Sequence, residues 1–146
     1  TYGDENFIRV LREIVMRQIA SKALKGYLAY VDGVSIGWCN ANDKANFPPE
    51  SANGVRLYAP ADKREKAVVC FEIAPEYRGK GVATALLNRV VSDAKAEGYT
   101  AVEGFPQIHE ERFEWDYTGP VRLYEKAGFT AITKQDGSVI MRKELK

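Results

Sequence analysis

Residues 75–87, PEYRGKGVATALL, join a strand-like run to the start of an amphipathic helix. Before them, AVVCFEIA at residues 67–74 is apolar and rich in β-formers, as expected of a buried central strand. After them, apolar side chains recur at helical spacing over residues 81–97, and TAVEGF at residues 100–105 is again strand-like. The stretch therefore predicts a strand–helix–strand unit with parallel strands and a right-handed crossover.

The other predicted elements surround this unit. Residues 5–24 have apolar side chains at helical spacing and predict a first helix. Asp-Gly pairs between apolar runs predict one hairpin within residues 27–41 and another within residues 129–145, with a short helix at residues 120–127. Residues 42–64 are typical of a long loop with one helical turn. The order predicts an α/β domain with a mixed sheet, in which antiparallel strands flank one parallel crossover.

Length and composition favour a single domain with a hydrophobic core. The 146 residues fit a single domain spanning residues 1–146, and 45% of them are apolar. A net charge of +1 argues against a nucleic-acid surface that depends on bulk charge. No apolar run reaches the roughly 18 residues of a membrane span, and the first residues lack the pattern of a signal peptide. The expected location is therefore the cytoplasm, without a membrane partner.

Cysteine and histidine content limits the possible chemistry. Cys39 and Cys70 both lie in strand-like runs, which favours two reduced, buried thiols. His109 is the only histidine, and no Cys/His cluster has metal-ligand spacing. We therefore expect neither a metal site nor a Ser-His-Asp triad.

The loop within residues 75–87 has the chemistry of an anion site. Gly79 and Gly81 remove side chains that would hold a ligand away, and Arg78 and Lys80 add positive charge. The first N–H groups of the following helix have no intrahelical partner and lie at its electropositive end. A phosphate or pyrophosphate suits such a place, although a plain turn with solvated cations is the simpler alternative. Neither a Walker loop nor a G-x-G-x-x-G fingerprint is present.

Two motifs together resemble the GNAT acetyltransferases. The first is Arg-x-x-Gly-x-Ala, formed by Arg78, Gly81 and Ala83 directly after a central strand. The second is LYEKAGF at residues 123–129, which follows in the order typical of the family. Longer stretches around these motifs also resemble a bacterial branch of the family, and the resemblance extends over roughly residues 26–142. It implies the GNAT fold with splayed central strands, and a further strand before the first helix that is missing here, displaced or supplied by a partner.

The resemblance also implies acetyl-CoA as co-substrate. The N–H groups of residues 79–84 would hold the pyrophosphate. The backbone at Ile73 and Ala74, at the end of the central strand, would pair with the pantetheine arm, and N–H groups there would polarise the thioester carbonyl. Where the family often has an asparagine contacting coenzyme A, this chain has Tyr117, which implies an aromatic contact instead. The implied cofactor-binding set is Ile73, Ala74, Arg78, Gly79, Lys80, Gly81, Val82, Ala83, Thr84 and Tyr117.

Three side chains are candidates for proton transfer. Tyr124 matches the tyrosine with which the family protonates the leaving thiolate, and a phenol is neutral at pH 7. Glu72 and Glu103 lie on the two strands that flank the expected cleft, and either carboxylate is a candidate general base. A salt bridge or a solvated strand position is the alternative for each. His109 has a suitable pKa but lies on a loop.

The acceptor is predicted from charge. The stretch from Glu103 to Asp116 is rich in carboxylates, which favours a cationic primary amine as acceptor. Its aromatic residues Phe105, Phe113 and Trp115 are candidates for an acceptor pocket, whereas Trp38 is assigned to the core. Two other functions stay open: an acyl-CoA sensor without turnover, and a binding module for another nucleotide. A homodimer is compatible with the sequence, which does not specify an oligomeric state.

Overall fold

The computed structural model describes residues 3–50, 57–108, 116–135 and 137–146. The helices are α1 (Glu5–Ala20), α2 (Val82–Ala96) and α3 (Val121–Lys126). The strands are β1 (Gly26–Val31), β2 (Val34–Asp43), β3 (Glu65–Ile73), β4 (Ala101–Gly104), β5 (Thr130–Gln135) and β6 (Ser138–Glu144). Short 3₁₀ turns at Lys44–Asn46 and Pro75–Tyr77 follow β2 and β3. No helix in these ranges has both the length and the apolar character needed to cross a bilayer.

The described strands form one mixed sheet in the order β1-β2-β3-β4-β6-β5. Only β3 and β4 are parallel, and α2 connects them. The other neighbouring pairs are antiparallel. The predicted mixed α/β architecture and its parallel strand–helix–strand unit are thus confirmed.

The two central strands separate towards their carboxyl ends. Pairing between β3 and β4 runs from Glu65↔Ala101 to Val68↔Gly104 and stops there. Beyond Val68, β3 continues to Ile73 beside β2, whereas β4 ends at Gly104. This divergence confirms the predicted splay and opens a gap between the strand ends.

The core lies mainly between the sheet and α2. Four residues of α2 are buried against the sheet: Leu86, Leu87, Val90 and Ala94. Because neighbouring side chains of a strand point to opposite faces, β3 contributes Val68 to this cluster and Ala67 to a smaller cluster with Leu57 and Phe105. Packing on the α2 side therefore holds the start of α2 against the end of β3.

Both predicted hairpins are present. Asp32 and Gly33 join β1 to β2 with φ angles of 48° and 78°, so both central residues have the positive φ of a type I′ turn. β5 and β6 pair antiparallel, and Gly137 in their connection has φ 79°. The neighbouring Asp136 lies outside the described residues.

Helix α1 is present but shorter than predicted, and it is not packed. It ends at Ala20 rather than near residue 24, and none of its residues is buried. Its apolar side chains are 37–59% exposed: Phe7, Ile8, Val10, Leu11, Ile14, Val15, Met16 and Ile19. The apolar spacing identified the helix correctly, but periodicity does not say which surface covers the apolar face.

Candidate active site

A cleft of about 1600 Å³ lies where β3 and β4 separate. The end of β3, the loop before α2, the start of α2 and the segment leading into α3 form its walls. Most of the predicted site residues line it: Glu72, Ile73, Ala74, Arg78, Gly79, Gly81, Val82, Ala83, Thr84 and Tyr117. Trp38, predicted to be core, is half-buried and also lines the cleft, so that assignment was wrong.

The loop before α2 needs glycine for its backbone conformation. Gly79 and Gly81 have φ angles of 71° and 84°, a left-handed region that residues with a Cβ rarely adopt. A Cβ added at either position would meet no atom within 4 Å, so the bare backbone borders open space. These two glycines therefore leave the cleft wall accessible to a ligand.

The start of α2 presents unpaired donors. Gly81 is the N-cap and provides no side-chain cap, and the first intrahelical bond runs from Ala85 N to Gly81 O at 3.0 Å. The N–H groups of Val82, Ala83 and Thr84 therefore have no partner within the helix. Together with the helix dipole they form a positive end that faces the cleft.

The cations beside this positive end are not paired with carboxylates. Arg78 Nε donates to Ile73 O at 3.0 Å, which ties the loop to the end of β3. Lys80 Nζ lies 5.5 Å from the Tyr77 ring centroid and does not line the cleft. No ion pair of Arg78 or Lys80 occurs among the described residues. Cations at a helix N-terminus repel its dipole, so this arrangement favours a bound anion.

The backbone donor that faces the gap is Phe71, not Ala74. Ala74 N–H donates to Ile36 O at 2.9 Å and is thus engaged with β2. Phe71 N–H points the other way and donates to Tyr117 O at 2.6 Å, across the gap. Strand donors alternate between the two neighbours, so Ile73 points like Phe71. The expectation that both Ile73 and Ala74 direct their N–H groups into the gap is therefore wrong for Ala74, and Phe71 and Ile73 are the residues whose N–H groups face it.

Tyr124 lies beneath the cleft rather than on its wall. Its side chain is fully buried and packs against Phe71, Phe129 and Gly104. Its hydroxyl donates to Thr118 O at 2.9 Å. Burial raises the pKa of this phenol well above its ordinary value, so Tyr124 keeps its proton throughout the physiological pH range.

The segment that accepts this hydrogen bond is held from several sides. Asp116 Oδ1 accepts from Thr118 N at 3.0 Å and from Thr118 Oγ1 at 2.7 Å. Gln107 N donates to Thr118 Oγ1 at 3.3 Å, which connects the segment to the chain after β4. Thr118 was not predicted from the sequence, although an aspartate two residues before a threonine is a recognisable turn signal.

Of the two candidate bases, only Glu72 lines the cleft. Glu72 is exposed and pairs in register with Trp38 on β2. Glu103 is 5% exposed, and its two carboxylate oxygens lie 2.8 Å from Lys44 Nζ and 2.8 Å from Arg142 Nη1. The salt-bridge alternative therefore describes Glu103, which the structure does not bring together with the cleft residues. His109, Phe113 and Trp115 lie outside the described residues.

Glu103 belongs to a buried ionic cluster that links three strands. Glu65 on β3 binds the same two cations, at 2.5 Å from Lys44 Nζ and 2.9 Å from Arg142 Nη2. Burial alone would raise the pKa of Glu65, but hydrogen bonds from Arg142 and Lys44 outweigh it and hold the pKa below its ordinary value. The cluster borders a separate cavity of about 260 Å³, which Phe105 also lines. Its role is to connect β3, β4 and β6.

Replacing Glu65 by glutamine should lower the free energy of unfolding at pH 7 by about 3 kcal/mol, since Lys44 and Arg142 lose one of the two buried carboxylates that balance their charge. Because the folded-state pKa is depressed, the stabilisation is complete above the ordinary glutamate pKa of about 4.3 and is lost as the pH falls through the lower folded value. Urea unfolding between pH 7 and pH 3 should therefore show the difference shrinking. Glu13→Gln, which removes an exposed pair with Arg9, should cost at most about 1 kcal/mol. A pH-independent difference would contradict the ionic assignment.

The cysteines do not provide a nucleophile. Both thiols are free, and burial raises the pKa of Cys39. Burial and the nearby Glu72 carboxylate raise the pKa of Cys70 to about 11, so both thiols are protonated at pH 7. Within the ranges that the structure describes, no group of three or more His, Cys, Asp or Glu side chains could hold a metal ion.

Comparison with known proteins identifies the class to which this fold and cleft belong. The sequence profile of the Acetyltransferase (GNAT) family matches residues 2–129, and the chain belongs to that family. No curated protein matches the chain.

Three solved structures show the same fold. The first is the GNAT domain of S. lividans PAT, with 24% identity and a TM-score of 0.57. The second is an N-acetyltransferase from Staphylococcus aureus Mu50, with 18% identity and a TM-score of 0.60. The third is the acetyltransferase yncA from Salmonella typhimurium with its cofactor acetyl-CoA, with 18% identity and a TM-score of 0.58. The alignments cover 82%, 92% and 94% of this chain. They cover 60%, 76% and 73% of those chains, so this chain spans less than two thirds of the first.

Proposed function

We propose that residues 1–146 act as one cytoplasmic N-acetyltransferase domain, which transfers an acetyl group from acetyl-CoA to a primary amine. One observation carries the proposal. Bare glycine backbone, helix N–H groups without an intrahelical partner, and Arg78, which pairs with no carboxylate of the described ranges, all line the same cleft. This cleft also reaches the gap between the splayed strands. An anion of extended shape with a reactive group at its far end suits such a cleft.

The residues present fit the chemistry of coenzyme A. Its pyrophosphate would be bound by the N–H groups of Val82, Ala83 and Thr84, by the backbone at residues 79–81 and by Arg78. Its pantetheine arm would run along the side of β3 that faces the gap, beyond Val68, where β3 no longer pairs with β4. Tyr117 is 48% exposed on the cleft wall and would contact the arm with its ring.

The proposed reaction is direct attack of the amine on the thioester in a ternary complex. An alkyl amine is roughly 99.9% protonated at pH 7, and deprotonation costs about 4–5 kcal/mol, so a base is needed. Glu72 is the candidate because it alone of the two carboxylates lines the cleft. The Phe71 N–H now donates to Tyr117 O. If it donated instead to the thioester carbonyl oxygen, it would polarise that carbonyl.

Tyr124 is the proposed acid for the departing thiolate. Attack forms the C–N bond, the C–S bond then breaks, and the phenol proton passes to sulfur while the amine proton leaves through Glu72. For this transfer the hydroxyl must turn away from Thr118 O, which costs one hydrogen bond of about 0.5–1.5 kcal/mol. Its fully buried position keeps water away from the phenol.

The activity is tested by incubating the protein with acetyl-CoA and a broad panel of amines, with free thiol as the readout. Amine-dependent thiol release supports transfer. Saturable acetyl-CoA binding without thiol release from any amine favours the sensor without turnover. A larger thermal shift with ATP or NAD than with coenzyme A would favour the module for another nucleotide.

The proposed acceptor is a cationic amine, because the carboxylates of Glu72 and Asp116 line the cleft. Glu110, Glu111 and Glu114, which belong to the same carboxylate-rich stretch as Asp116, lie outside the described residues. The kcat/KM of the best amine should fall as salt rises, since the Debye length shortens from about 10 Å at 0.1 M to about 3 Å at 1 M.

Joint replacement of Glu110, Glu111 and Glu114 by glutamine should lower the kcat/KM of the best amine, as high salt does. The matched control replaces Glu5, Glu13 and Glu97 by glutamine, which removes the same charge outside the cleft lining. An anionic best substrate, or equal kcat/KM in the two triple variants, would contradict steering by this stretch.

A further inference from the structure

A second group of cations lines the cleft on the wall that α3 forms. Arg122 and Lys126 both line it, and both are exposed. They lie four residues apart on α3, so their side chains share one side of the helix, with Cβ atoms about 5–6 Å apart. The cleft therefore has positive charge in two places, at the loop before α2 and on α3.

Neither cation is paired with a carboxylate within the part of the chain that the structure describes. Across the described ranges, Arg122 and Lys126 form no ion pair and no side-chain hydrogen bond to a carboxylate. Other cations of the chain do find carboxylates; Arg142, for example, contacts both Glu65 and Glu103. Two neighbouring cations repel each other, so leaving both unpaired on a concave wall favours an anion between them.

The stability of α3 does not explain these residues. Arg122 lies in the first turn of α3, where the helix dipole disfavours a cation. Lys126 lies in the last turn, where a cation is favoured, but Lys143 Nζ already donates to Ala127 O at 2.8 Å. A role for Arg122 and Lys126 in ligand binding accounts for both positions.

We propose that Arg122 and Lys126 form a phosphate subsite for the 3′-phosphomonoester of coenzyme A. This inference rests on the proposed function and adds to it. Coenzyme A has a diphosphate and a separate phosphomonoester on the same ribose. The cleft has two matching groups of cations, Arg78 in the loop before α2 and the Arg122/Lys126 pair on α3. A guanidinium and an ammonium together bind a dianionic phosphomonoester by charge-assisted hydrogen bonds. The subsite would make the protein discriminate coenzyme A from dephospho-coenzyme A.

The experiment measures the dissociation constants of coenzyme A and dephospho-coenzyme A by titration calorimetry. The wild type should prefer coenzyme A by about 10–100-fold, as expected for one or two charge-assisted hydrogen bonds. The Arg122→Gln/Lys126→Gln variant should lose this preference, with weaker binding of coenzyme A and nearly unchanged binding of dephospho-coenzyme A. The single variants should each lose part of the preference.

The matched control is Arg12→Gln/Lys134→Gln, which removes the same charge from exposed positions outside the cleft lining. It should keep the preference of the wild type. Equal weakening for both ligands in the α3 variant would show a bulk-charge effect and overturn the subsite. A wild type that binds both ligands equally would overturn the subsite alone, whereas a wild type that binds neither would overturn the proposed function itself.

Discussion

Replacing Tyr124 by phenylalanine is expected to lower turnover by about 10²–10⁴-fold, the contribution of a positioned general acid. Acetyl-CoA should bind nearly as tightly as before, because the substitution removes one hydroxyl and leaves the packing of the buried ring in place. The variant also leaves Thr118 O without its donor, which should cost about 1–3 kcal/mol of stability. Turnover is therefore measured well below the melting temperature of the variant, by thiol release with the best amine.

Tyr27→Phe is the matched control for this prediction. It removes a phenolic hydroxyl that donates to Asp93 Oδ2 at 3.1 Å, in a half-buried position outside the cleft lining. The chemical change is the same, so the control reports the general cost of losing a tyrosine hydroxyl. If both variants turn over at near wild-type rates, Tyr124 serves only to hold Thr118, and another group supplies the proton.

Replacing Gly81 by valine is expected to weaken coenzyme A binding by about 10²-fold or more. The new side chain would extend into the open space beside the loop, where the pyrophosphate is proposed to lie. Losing two charge-assisted hydrogen bonds of about 1.5–3 kcal/mol each accounts for an effect of this size. Valine at a φ of 84° is also strained, so the melting temperature should fall as well.

Gly98→Val is the control that distinguishes backbone strain from steric blocking of the proposed pyrophosphate site. Gly98 follows α2 at its other end with φ 80°, and a Cβ there also meets no atom within 4 Å. Both variants should lose comparable stability, of roughly 1–2 kcal/mol or more for a left-handed residue with a Cβ. Only Gly81→Val should lose coenzyme A binding in a calorimetric titration. Equal coenzyme A affinities in the two variants would contradict binding of the pyrophosphate at this loop.

The features predicted well from the sequence are those that depend on a few neighbouring residues. Gly79 and Gly81 can adopt positive φ wherever they lie, and the apolar spacing after them specifies a helix. Their order after β3 then places a helix N-terminus at the carboxyl end of a central strand, where ligands of α/β sheets bind. The same holds for the turn at Asp32 and Gly33, whose φ angles are local properties.

The direction of backbone donors was not predictable, because it depends on register. β3 pairs with β2 through an irregularity between Asn40 and Ala41, and a shift of one residue exchanges the two sides of a strand. In the regular stretch from Gly37↔Ile73 to Asn40↔Cys70, this register makes Ala74 donate to β2 and leaves Phe71 facing the gap. Nothing in AVVCFEIA itself distinguishes these two assignments.

By itself, the sequence determined the strand–helix–strand unit, both hairpins, the glycine loop and the family, because each follows from local conformational preference or a short motif. Tertiary structure alone decided what the charged and phenolic groups do. Glu103 meets Lys44 and Arg142 across distant segments, so it became part of an ionic cluster rather than a cleft residue. Tyr124 was buried beneath Thr118 by the packing of α3. Side chains are brought together by the whole sheet, and hydrogen-bond and ion-pair partners therefore depend on contacts that no local pattern encodes.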